Sequence, residues 1–168
     1  MDKVATPDVG VALHSTLDLL FGFGSDLFVF IAVAAVVAIF AFYFGRDRLM
    51  PLVAGIYAAL VLYAHFPYFS YLQGNAYLEI GYFVLCTVLA LIAFSGLAGF
   101  MASSGLGIIK VVALTLITAG FIMAIAVNVL PVKELHTWSP ATLAVFANPQ
   151  FYFAWLVAPV FGVFLFGK

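Results

Sequence analysis

Apolar residues run along this chain in five long stretches, each bounded by polar or turn-forming positions and none carrying a charge in its middle. The stretches cover about residues 27–44, 49–66, 78–101, 106–130 and 151–167. At 1.5 Å per residue even the shorter ones reach roughly 27 Å, close to the ~30 Å hydrocarbon thickness of a bilayer. Each therefore predicts a transmembrane helix. The expected fold is all-α, a polytopic membrane helix bundle in which residues 1–168 form one transmembrane domain.

The polar punctuation between the stretches predicts finer detail. Thr6, Pro7 and Asp8 have the order of an N-cap, a first helical position and an acidic first turn, and Val9, Leu13, Leu17, Leu20 and Phe21 then fall near one face. This pattern predicts an amphipathic interfacial helix over 7–22, broken by Gly22, Gly24 and Ser25, with Ser25 and Asp26 capping the first span. Pro51 sits in the first turn of the second span, where a missing N–H costs nothing, and Pro67 stops it. The third span ends in Ser95-Gly96-Leu97-Ala98-Gly99, a small-xxx-small pair at Ser95 and Gly99. A short Ser103-Ser104-Gly105 turn follows, so spans three and four are expected as antiparallel neighbours, packed through Ser95, Gly99, Ala113 and Gly120. Pro131 ends span four. Within the longest connection, Ser139-Pro140 reads as a helix start and Asn148-Pro149 as its stop, framing a short interfacial or re-entrant helix. Pro159 is expected to kink the last span.

Composition places the chain in lipid: 67% of its residues are hydrophobic and 8% are charged, against roughly 45 to 50% apolar in soluble domains. Net charge is −1, and only Arg46 and Arg48 bring positive charges close together, so no electrostatic footprint for nucleic acid or for anionic lipid capture is expected. Placing the Arg46/Arg48 loop inside also places Lys110 and Lys168 inside, leaving Lys3 and Lys133 outside. The positive-inside bias then predicts an outer N-terminus and a cytoplasmic C-terminus. The lone Cys86 lies in an apolar run and has no partner for an intramolecular disulfide.

Ion and proton transport ordinarily require an ionisable side chain near mid-membrane. Here Asp26, Glu79 and Lys110 all fall at span ends, where they are expected to reach the headgroups. His14, His65 and His136 show no metal-ligand spacing, and no catalytic, cofactor or metal site is expected. Glu134 and His136, between Lys133 and Trp138, form the densest polar group, either an acid/base pair or a solvated loop anchored by the tryptophan. Thr87, Thr115, Thr118 and Asn128 lie within spans; they either bond to their own helices or line a polar path. Arg46-Asp47-Arg48 sets topology and caps span two, or docks a cytoplasmic partner or a lipid phosphate.

The segment from Phe42 to Val53, FYFGRDRLMPLV, joins two spans through a Gly-Arg turn and resembles the start of the colicin V production family of bacterial inner-membrane proteins. The resemblance implies a four- or five-span helical protein linked to envelope homeostasis and toxin export, without catalysis. It covers about 40 residues. Where that family repeats a glycine four positions on, this chain has Leu49, and no site residue is carried over. The reading that follows is a non-enzymatic scaffold or accessory subunit in the bacterial inner membrane, its partners the lipid bilayer and other membrane protein subunits. A channel or transporter for a neutral or apolar solute is the alternative, and a lipid-directed enzyme using Glu134 and His136 is the third.

Overall fold

A computed structural model of the chain describes residues 9–97 and 107–166, with side chains described for 24–96 and 107–165. The fold is all-helical: α1 (Val9–Tyr43), α2 (Leu49–Ala64), α3 (Ala76–Leu97), α4 (Ile108–Asn128), α5 (Pro140–Phe146) and α6 (Pro149–Phe166). Short 3-10 turns at Arg46–Arg48, Phe69–Tyr71 and Pro131–Glu134 join them. Four of the helices are long and apolar enough to cross a membrane, and a fifth crossing results if α5 and α6, bent by 59°, form one broken span. Such a set of helices is that of an integral membrane protein.

Local sequence accounts for most helix ends. Ser139 caps α5 by accepting the Thr142 N–H at 3.3 Å, and Pro140 occupies the first turn. Asn148 plays the same part for α6, accepting the Gln150 N–H at 3.0 Å ahead of Pro149, so the expected stop is also a start. Gly45 and Gly74 adopt φ of 98° and 92°, a region closed to most side chains, and each reverses the chain between helices.

One expected boundary is absent. Gly22, Gly24 and Ser25 do not break the first segment, because α1 continues through them as a single helix of 35 residues. Isolated glycines inside a helix cost only about 1 kcal/mol each, and the Asp26 side chain that was expected to cap a new helix is engaged elsewhere. At 1.5 Å per residue α1 is about 52 Å long, longer than the ~30 Å core, so a stretch of α1 ahead of its Gly24–Tyr43 span lies outside the hydrocarbon.

Packing centres on α4. Its candidate span is 56% buried within the protein, against 17% for that of α1. The Leu114 and Val111 side chains meet Val37, Ala41 and Leu49; Phe121 and Ile125 meet Ile56, Ala59, Tyr63, Phe83 and Cys86; Met123 and Val127 meet Trp138. These contacts set α1 and α6 antiparallel to α4 and gather Ala41, Leu49, Val111 and Val163 at one end of the bundle, called here the Arg46 end. The opposite, Asp26 end holds Tyr63, Phe83 and Ile125.

Spans three and four share the cluster of Phe83, Cys86, Phe121 and Ile125, but neither is the other's main neighbour. The main neighbour of α3 is α2, and those of α4 are α6 and α1. Backbones approach closely at Gly55, where an added Cβ would lie 3.2 Å from the Leu91 nitrogen and 3.4 Å from the Thr87 oxygen. Gly55 and the fully buried Ala59 are the small-xxx-small pair that brings α2 onto α3. Gly120 also receives a neighbour, but on α6: an added Cβ would lie 2.1 Å from the Trp155 ring. Ser95 donates its hydroxyl to the Ile92 carbonyl of its own helix at 2.8 Å, and Gly99 lies outside the described residues.

Helix α6 runs through Pro159, whose ring is buried. Proline removes one helical N–H and loosens the preceding turn. The Tyr57 hydroxyl of α2 donates to the Leu156 carbonyl in that turn and ties the two helices together.

The Trp155 contact yields the first prediction. Gly120→Ala should lower stability by about 1–3 kcal/mol through overpacking, and adding Trp155→Leu to it should recover part of the loss. Thermal unfolding of the purified protein in mild detergent measures both; an unchanged Gly120→Ala melting temperature would remove the ring from that position.

Candidate functional site

The densest polar arrangement lies at the Asp26 end and is assembled from α1 and the α4–α6 connection. Asp26 points inward from α1 and is only 3% exposed. Its Oδ1 lies 2.8 Å from His136 Nε2, and its Oδ2 accepts the Ser139 backbone N–H at 2.8 Å. A carboxylate bonded in this way is the strong class of hydrogen-bond acceptor, and removing it would leave a buried N–H without a partner. Trp138 packs edge-on against the His136 ring, 4.6 Å between centroids, and is buried beside Met123 and Val127. The Asn128 amide donates both to Ala124 in α4 and to the Phe146 carbonyl at the end of α5, at 2.8 and 2.6 Å. Between them, Asp26 and Asn128 fasten the connection across the ends of α1 and α4.

This geometry changes two expectations. His136 pairs with Asp26 rather than with Glu134, which stands in the Pro131–Glu134 turn. Asp26 does not reach outward to headgroups, because a buried carboxylate with two donors at hand gains more from them than lipid can return. Glu79 behaves similarly: it is 9% exposed and accepts a hydrogen bond from the buried Tyr63 hydroxyl at 3.1 Å, among Phe69 and Phe83. That pair borders an open cavity of about 490 Å³ that Val129, Leu130 and Pro131 also line.

As chemistry, the Asp26 cluster amounts to a carboxylate–imidazole dyad, and among the described residues the hydroxyl nearest to it in the connection is already engaged. The Ser139 hydroxyl is committed to capping α5 and to Thr142 Oγ1, 3.1 Å away. His65 bonds the Val61 carbonyl of its own helix at 2.9 Å, and the His14 side chain lies outside the described residues. Among the described residues no three His, Cys, Asp or Glu side chains gather as a metal site. Cys86 is buried in the apolar cluster around Phe121.

Within the spans, Thr87, Thr118 and Asn128 hydrogen-bond carbonyls of their own helices, at 2.9, 2.7 and 2.8 Å. Thr115 differs: it is 95% buried by complement of its 5% exposure, and its hydroxyl has no partner. At the Arg46 end, Arg46-Asp47-Arg48 forms a 3-10 turn, and its two arginines head separate apolar grooves. Arg46 heads a groove of about 380 Å³ between α1 and α4. Arg48 heads one of about 750 Å³ bounded by α1, α2 and α3. Both run along the helices that line them. No known family model, curated protein or solved structure matches the chain.

The partnership of Asp26 and Ser139 was legible only in part: a carboxylate flanked by Ser25 and Leu27 at the edge of an apolar helix needs a donor, but the donor stands 113 positions away. Asp26→Ala should destabilise the protein by about 1–3 kcal/mol and accelerate hydrogen exchange at the Ser139 amide, whereas Asp26→Asn, which keeps an acceptor, should do less of both. Exchange over residues 136–142 that is identical in Asp26→Ala and the parent would show that the clasp does not hold the connection.

Proposed function

We propose that this chain is a non-enzymatic, multi-pass membrane protein that acts as a scaffold or accessory subunit of a membrane complex. The observation carrying this reading is where the polar groups of the spans point. Thr87, Thr118 and Asn128 bond to their own helices, and the middle of α4 is sealed by Leu114, Phe121 and Ile125, each at most 1% exposed. A solute path would call instead for hydroxyls and amides turned toward a shared lumen. The two grooves headed by Arg46 and Arg48 lie between helices, and α3 presents Leu85, Leu89 and Ile92 outward on one flank. Such surfaces suit contact with neighbouring helices or lipid.

The proposal extends to location. Arg46, Arg48 and Lys110 belong to the end of the bundle where α1 stops and α4 starts, and Lys133 belongs to the other end. By the positive-inside bias the Arg46 end faces the cytoplasm, which puts the start of the α1 span outside and agrees with an inner-membrane protein. The Gly45-Arg46 turn that resembles colicin V production proteins fits the same assignment. The alternative, a channel or transporter for a neutral or apolar solute, would have to use the lateral grooves rather than a central path.

Two measurements separate the readings. A photo-reactive residue at Leu89, 57% exposed on α3, should form one discrete adduct with another membrane protein in cells. Liposomes containing the purified chain should show no more solute, proton or sodium flux than empty ones. Reproducible protein-dependent flux, together with adducts to lipid alone, would overturn the scaffold reading in favour of transport.

A further inference from the structure

Glu79 is only 9% exposed, yet its side chain lines an open cavity of about 490 Å³ at the Asp26 end of the bundle. Its Oε2 accepts the Tyr63 hydroxyl at 3.1 Å, a neutral donor that gives the carboxylate no counter-charge. Among the described residues nothing bonds Oε1, and no Lys, Arg or His side chain pairs with Glu79. Nor is Oε1 sealed: the described buried side-chain polar atoms that lack both a partner and a free surface are Thr115 Oγ1 and Trp138 Nε1, so the second oxygen of Glu79 opens on the cavity. Asp26 shows the contrast, since both of its oxygens are bonded within the protein. The backbone adds charge of the same sign. Helix α2 ends at Ala64 and α4 at Asn128, Ala64 and Val129 line the cavity, and neither helix has a basic residue in its last turn, so the negative ends of two helix dipoles meet there. Tyr63 and Phe69, edge-on at 5.2 Å between centroids, form an aromatic part of the wall.

We infer that this cavity is a binding site for a primary alkylammonium group. The ammonium donates a hydrogen bond to Glu79 Oε1 and brings the counter-charge that a buried carboxylate needs, a bond of the strong, charge-assisted class. The rings of Tyr63 and Phe69 attract the same charge, and the methylenes beside it lie against Leu130 and Pro131. A metal ion fits less well: among the described residues no three His, Cys, Asp or Glu side chains gather there, and an aromatic and aliphatic wall offers little to replace a hydration shell. An aminoethyl phospholipid headgroup and a free amine present the same group, and the cavity lies at a bundle end, where α2 stops and α3 starts. The site stands independently of whether the protein is a scaffold or a transporter.

The test uses the purified full-length chain in an amine-free detergent and two kinds of probe. Saturation-transfer NMR compares butylammonium with butanol, its neutral counterpart, and native mass spectrometry compares retention of dioleoyl phosphatidylethanolamine with that of dioleoyl phosphatidylcholine. The parent should bind butylammonium and not butanol, or retain phosphatidylethanolamine over phosphatidylcholine; the first result makes a free amine the source of the group, the second a lipid headgroup, and either supports the site. Glu79→Gln, which keeps an acceptor for Tyr63 but no charge, should weaken the bound probe by roughly tenfold or more, the contribution of one hydrogen bond to a charged group. Tyr63→Phe, which keeps the ring and frees Oε2, should retain binding. Ala64→Leu, at an exposed position on the cavity wall, should obstruct the site and decides the matter should Glu79→Gln fail to fold. Binding of neither amine probe by the parent would overturn the site. So would binding unchanged in Glu79→Gln or in Ala64→Leu, and equal losses from Glu79→Gln and Tyr63→Phe would show that the pair only holds the fold.

Discussion

In hydrocarbon, a polar group that the protein does not satisfy is not satisfied at all, and this constraint organises the whole molecule. Helices meet the demand for the backbone, which is why the described chain is helices joined by short turns. Most of the few polar side chains follow the same rule by different routes, the Thr115 hydroxyl and the Trp138 Nε1 being exceptions. Thr87, Thr118 and Asn128 bond to the preceding turn of their own helices. Tyr57 reaches across to a carbonyl in the turn that Pro159 loosens. Asp26 and Glu79, too costly to bury as lone charges, are paired with Ser139, His136 and Tyr63.

Those longer-range bonds also decide how the helices are held. Between apolar helices in lipid the hydrophobic drive is absent, so contact depends on shape and on interhelical hydrogen bonds. Shape is supplied where a glycine admits a neighbour: Gly55 lets α3 backbone approach α2, and Gly120 lets the Trp155 ring of α6 sit on α4. Specificity is supplied at the Asp26 end, where one carboxylate fixes the position of a connection that would otherwise lie loosely over the bundle. The two devices are complementary, because the glycine contacts are non-directional and the carboxylate contacts are not.

The sequence made the fold class plain and the neighbours obscure, for a physical reason. Helix existence in lipid follows from length and hydropathy, both local, and the caps at Ser139 and Asn148 are local too. Which helices touch depends on small residues, and apolar spans contain many. Ser95 and Gly99 formed as good a pair by spacing as Gly55 and Ala59, yet α2 is the helix that packs on α3. Gly120 was identifiable as a packing position, but its Trp155 partner was not. The charged residues misled in the opposite sense: Asp26 and Glu79 looked like span-end groups reaching for headgroups, whereas the structure turns both inward. Nothing local marks the difference, since their partners lie 113 and 16 positions away.

The two ends of the bundle are therefore unlike in kind. At the Asp26 end the connection, with its 3-10 turn and α5, is bonded down by Asp26 and Asn128, while the buried Trp138 Nε1 keeps no hydrogen-bond partner. At the Arg46 end the α1–α2 connection is a short turn, positive charge collects, and two grooves begin beneath arginines. A group already committed to holding the fold together is poorly placed to bind something else without loosening it. The two grooves of the Arg46 end lie on the outside of the bundle, where a neighbouring molecule can reach them without disturbing those bonds. Contact with other membrane proteins is accordingly expected at the Arg46 end, and the bonds of Asp26 and Asn128 are the structural anchor that keeps it in shape.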